Sequence, residues 1–136
     1  MVPSLHSYKT SLPPWDLALR VKGLMVQEGF VDYGLVDHKR DMLAQGVSSP
    51  MWAYTLFFAK PVRNVLAAAP TAVTNMLIRV GICGDLDHSM LVHHTMSSLL
   101  ANHNETLRSV DDQIDQTIAT IAEKIGATAV ICPTPA

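Results

Sequence analysis

A chain of 136 residues has the length of one ordinary domain. With 49% apolar and only 16% charged residues it can bury a core and is not composed like a disordered segment. The net charge of −2, with Lys and Arg scattered along the chain, excludes the basic stripe on which phosphate-led nucleic-acid binding depends. So little charge also implies that a partner covers some apolar surface, most simply a second copy of the chain in a homodimer.

The start, Met-Val-Pro-Ser-Leu-His, has no basic region followed by an apolar run, so no signal peptide is expected. The longest apolar runs, 51–59 and 65–69, are too short to cross a bilayer, and no membrane association is expected. Cys83 and Cys132 are too few and too widely spaced for a disulfide framework or a paired-cysteine metal knuckle. Free thiols suit a reducing compartment, which points to the cytoplasm.

In chain order, residues 5–9 predict a first short strand. Ser11, Pro13 and Pro14 then open a helix that carries Leu17, Val21 and Leu24 inward and stops at Gly29. Residues 30–36 are rich in β-formers and predict a second strand, followed by a short polar helix over 38–43. Ser48-Ser49-Pro50 marks a loop, and 52–59 predicts a central strand apolar enough to be buried on both faces. The alanine-rich stretch 62–69 predicts a helix closed by Pro70. Residues 77–83 alternate in strand fashion, 84–87 form a turn and 90–96 return, which makes a β-hairpin.

The strongest periodicity comes near the end. Leu107, Val110, Ile114, Ile118, Ile121 and Ile125 recur every three or four residues, the mark of an amphipathic helix capped by Gly126. Asp111, Asp112 and Asp115 read as a solvated, dipole-favoured face at its start. Residues 128–132 predict a last short strand before a Pro-Thr-Pro tail. No repeat, linker or low-complexity segment divides residues 1–136. The whole is one α+β domain, a mostly antiparallel sheet of four to six strands with the long C-terminal helix across one face.

Histidines are the candidates for chemistry. His88, His93, His94 and His103 fall close together, while His6 and His38 lie apart. Neighbours on a strand point to opposite faces, so His93 and His94 cannot share a site. His94 alternates with Met90, Val92 and Met96, which predicts that His94 looks inward. There it would be neutral near pH 7, able to act as a general base, a metal or haem ligand, or a hydrogen-bonded core residue. Neither HExxH, a nucleophile elbow, nor a glycine-rich phosphate loop is present, so the residues name no metal and no cofactor. Adjacent Asp37 and His38 read as a solvated helix start, and Met76, Met90 and Met96 as gap-filling core.

The order of elements resembles domain-of-unknown-function family 302. The resemblance rests on the helix beginning near Leu17, on Glu28-Gly29-Phe30, and on the strand that ends Val36-Asp37-His38. Phe58-Ala59-Lys60-Pro61 is similar to that family's aromatic-Gly-Asn-Pro turn, residues 78–96 to its strand-turn-strand, and 107–125 to its closing helix. About residues 5–126 are covered, leaving 127–136 as a short strand and tail. The resemblance implies a curved antiparallel sheet under a long helix, similar to TATA-binding-protein-like folds, and a dimer; it brings no agreed reaction. The family's tyrosine with Asn-Asp-Pro is replaced here by His94-Thr95-Met96-Ser97, and its Gly-Asn by Ala59-Lys60, both where a pocket would open.

Three functions are therefore expected to compete. The first is a small-molecule-binding protein whose apolar pocket, between sheet and long helix, is lined by His94, His93, Met96, Tyr54 and Phe58. The second is a cofactor-independent enzyme of isomerase, lyase or hydrolase type with His94 as catalytic general base. The third is a haem- or metal-binding protein, or a purely structural homodimer. The first is preferred because a catalytic histidine usually has an orienting carboxylate, and the sequence locates none.

Overall fold

The computed structural model describes residues 5–61, 65–94, 96 and 99–130. Six strands form one sheet in the order β2-β3-β4-β5-β1-β6. They are β1 (Leu5–Thr10), β2 (Val31–Asp37), β3 (Trp52–Ala59), β4 (Ile78–Gly84), β5 (Ser89–His94) and β6 (Thr128–Ala129), and every neighbouring pair is antiparallel. The hairpin β4–β5 forms as its alternation predicts. Its turn needs Gly84, because a Cβ there would lie 2.4 Å from the His88 carbonyl oxygen.

Helix α1 (Pro14–Gln27) starts with proline in its first turn, where the missing N–H is no loss. It buries Leu17, Ala18, Val21 and Met25, while Leu24 is only half-buried. The short α2 (His38–Ala44) is capped by Asp37, whose carboxylate accepts the Arg40 N–H at 3.0 Å, as a helix start there requires. The alanine-rich stretch is helical over α3 (Val65–Ala68), and residues 62–64 lie outside the described ones. Pro70 does not end the winding but opens a 3-10 turn, Pro70–Asn75.

The long amphipathic helix is α4 (Arg108–Ile125). Gly126, at φ 83°, closes it with paired bonds from Gly126 N–H to the Glu123 carbonyl and Ala127 N–H to the Ala122 carbonyl. Ile114, Ile118 and Ile121 are buried against the sheet beside α1. The core lies between those helices and one sheet face, which offers Tyr8, Leu35, Tyr54, Leu56, Phe58, Ile78, Val80, Ile82 and Leu91.

Three expectations change at this level. Strand β3 is not buried on both faces: Tyr54, Leu56 and Phe58 are covered, whereas Ala53, Thr55 and Phe57 remain partly exposed on the face opposite α1 and α4. Asp111 is not solvated but fully buried, standing four residues after Leu107 and three before Ile114 on the helix's inner stripe. On β5 the inward residues are Ser89, Leu91 and His93, so His94 faces outward. The last strand is confined to Thr128–Ala129, and the expected residues beyond 130 lie outside the described ones.

Candidate functional site

The reversal on β5 follows from its partners. Leu91 sits opposite Ile82 of β4 and Tyr8 of β1, and both of those residues belong to the helix-covered face. His93 is two residues on, hence on the same face and opposite His6. Met90 and Val92 are apolar enough to pass for core residues, but they point to the uncovered face together with His94.

His93 is 3% exposed. Its Nδ1 lies 3.0 Å from the His94 carbonyl oxygen, which can only accept, so Nδ1 carries the proton and Nε2 presents a lone pair. That Nε2 is buried and, among the described residues, has no hydrogen-bond partner. The His6 ring stacks on it at 5.0 Å and the Tyr8 ring at 6.1 Å. Burial pushes the His93 pKa below its ordinary 6.5; the His94 carbonyl and Asp115 oppose this, and His6 adds to the lowering. Burial, and then the Asp115 charge, raises the Tyr8 hydroxyl above its usual value.

A second feature forms where β4 and β5 part. Among the described residues their pairing runs from Gly84 and Ser89 to Gly81 and Val92. Beyond that point β4 stays paired to β3 as far as Ile78, and β5 to β1 as far as His94. The gap opens into a hollow of about 230 Å³ lined by Asn75, Leu77, Ile78, Arg79, His94, Met96 and Leu99. Two residues expected at a ligand site, His94 and Met96, meet here. A separate cavity that reaches Val110 and Ile114 of α4 measures about 20 Å³, room for roughly one water.

The other expected residues are not part of this hollow. Tyr54 is buried in the core with the Trp15 ring 5.5 Å away, and Phe58 has no exposed surface. Among the residues that sequence reasoning missed are Arg79, Asn75 and the α4 carboxylates. Arg79 looked like the polar side of an alternating strand. Asp111 and Asp115 looked solvated, yet they hold the chain that forms one wall of the hollow. Asp115 accepts the Met96 N–H at 2.7 and 3.0 Å. Asp111 accepts from Leu100 N–H at 3.1 Å and Ala101 N–H at 3.0 Å. Burial raises the Asp111 carboxyl above its usual value, while those two amides pull it down. The spacing Leu107, Asp111, Ile114, Ile118 was the available signal.

Asn75 is held from the other side. Its side-chain amide donates to His103 Nε2 at 2.9 Å, which leaves His103 Nδ1 to donate to Thr71 Oγ1 at 2.8 Å. His38 makes a separate contact, Nε2 to Thr55 Oγ1 at 2.7 Å, on the uncovered sheet face. Among the described residues no three His, Cys, Asp or Glu side chains converge as metal ligands, and no helix is long and apolar enough to cross a membrane.

The fold has a solved counterpart. An uncharacterized conserved DUF302 protein from Bacillus stearothermophilus superposes with a TM-score of 0.78 at 13% identity, over 90% of this chain and 98% of that one. The chain has a DUF302-like fold. At that identity the likeness concerns architecture alone. No protein-family model and no curated protein matches the sequence.

Proposed function

We propose that the protein binds a small molecule in the hollow between the parted ends of β4 and β5. The observation that carries this reading is the convergence there of a polar rim, Asn75, Arg79 and His94, on an apolar floor that includes Ile78 and Met96. Apolar walls with a few placed polar groups are the general composition of ligand sites. At about 230 Å³ the space is below the roughly 300–1,000 Å³ of drug-sized pockets, so its ligand is small. The DUF302 neighbour, itself uncharacterized, neither adds to this reading nor opposes it.

His94→Ala removes one side of the rim from an exposed position. Retention of small molecules from a cell extract, read by mass spectrometry of the purified protein, is expected to fall by about tenfold. The melting temperature should stay within a few degrees. Equal retention by both proteins would show that the hollow is not the binding place.

A second reading, an acid–base enzyme, draws on His93 rather than His94. A neutral imidazole with an unshared Nε2 lone pair is the form a general base requires. His93 does not line the hollow, so this reading ranks below simple binding. A homodimer formed through the uncovered sheet face, in a cytoplasmic setting consistent with the free Cys83 thiol, completes the picture we infer.

A further inference from the structure

We propose that the ligand of the hollow is an organic acid, whose anionic head pairs with Arg79 while its apolar body lies on Ile78, Met96 and Leu99. This rests on the small-molecule reading of the same hollow and adds the chemical class. Arg79 is exposed and, among the described residues, forms no ion pair and no side-chain hydrogen bond. A guanidinium at the rim of a hollow with an apolar floor is a fork of donors in search of a planar acceptor, and a carboxylate fits it with two parallel bonds.

The surroundings favour the same sign. Among the described residues no Asp or Glu lines the hollow. The nearby carboxylate Asp115 is not among the described lining residues and is engaged with the Met96 backbone N–H. The small cavity next to it shares Asn75, Ile78 and Met96 and adds Lys60. Lys60 lies 5.4 Å from the Phe30 ring centroid and, among the described residues, pairs with no carboxylate. Two cations thus stand around one apolar floor in a chain whose net charge is −2. A field of this kind concentrates anions and repels amines.

The chemistry of the remaining rim agrees. Asn75 is fixed through His103 and Thr71, so its amide is pre-oriented before any ligand arrives. His94 lines the same hollow as Arg79 and adds no negative charge to it. A cationic ligand would have to lie against Arg79 with no carboxylate among the described lining residues to offset the repulsion.

Hexanoate and hexanamide separate the possibilities, since they share a body and differ in charge. Each would be titrated into the wild-type chain and into Arg79→Gln, following backbone amide resonances of Ile78, Met96 and Leu99. Hexanoate is expected to bind the wild type at least about tenfold more tightly than hexanamide does, and Arg79→Gln should erase that difference. Equal binding of acid and amide, unchanged by Arg79→Gln, would overturn the organic-acid assignment and leave the binding reading in place. Failure of both compounds to move those resonances would overturn both. Hexylamine binding more tightly than hexanoate would reverse the assigned sign.

Discussion

At the residue scale, His93 is the least expected group in the molecule. A buried imidazole with one nitrogen bonded and the other, among the described residues, unpartnered resists protonation, since a second N–H would be buried without an acceptor. The unfolded chain takes up its proton at about 6.5, whereas the folded chain does so only at lower pH. The stability tied to this residue is therefore complete above about pH 6.5 and is lost as pH falls from there through the lowered folded value. Urea unfolding at pH 7.5, 6.5 and 5.5 is expected to show a falling midpoint in the wild type and a flatter profile in His93→Phe. Comparing the two proteins cancels the share of the carboxylates; parallel profiles would show that His93 is not the source. His94, one position on, has the opposite environment. The sequence could separate the two faces but could not say which was inner, because Met90, Leu91 and Val92 are all apolar.

At the scale of elements, α4 acts as more than a cover for the sheet. Its isoleucine stripe was legible from spacing alone, and so was its end at Gly126. Its second task, accepting the backbone N–H groups of Met96, Leu100 and Ala101 through Asp115 and Asp111, was not legible, since those donors belong to a loop. Asp111→Ala leaves the buried amides of Leu100 and Ala101 without an acceptor. Unsatisfied buried donors cost about 1–3 kcal/mol each, so for these two a loss of about 2–6 kcal/mol is expected in denaturant unfolding. Asp111→Asn keeps one carbonyl oxygen and should fall between wild type and Asp111→Ala. A loss below about 1 kcal/mol in Asp111→Ala would mean that the loop finds other partners. The same loop, together with Asn75, walls the hollow, so this tie joins stability to the proposed site.

At the scale of the whole molecule, the sheet has one covered and one uncovered face. Both α1 and α4 pack on the first. The second carries Ala53, Thr55, Phe57, Met90 and Val92, all partly exposed. A second copy of the chain laid on this face would remove it from water, and sedimentation at micromolar concentration is expected to show twice the monomer mass. Phe57→Glu, which puts a charge at the middle of that face, should shift the species to monomer while leaving the core side untouched. A wild-type chain found only as monomer would end the dimer proposal.

The sequence by itself determined the class of fold: alternation marks the strands, the three-to-four spacing marks α4, and glycine at Gly29 and Gly126 marks where helices stop. These are local properties, carried by the backbone preferences of neighbouring residues. Which face of β5 turns inward, whether Asp111 meets water or amides, and where a hollow opens depend on residues far apart in the chain. Arg79 and His94 come to one rim only because β3 and β1 hold β4 and β5 apart beyond Gly81 and Val92. Long-range pairing decides this, and local pattern carries no record of it.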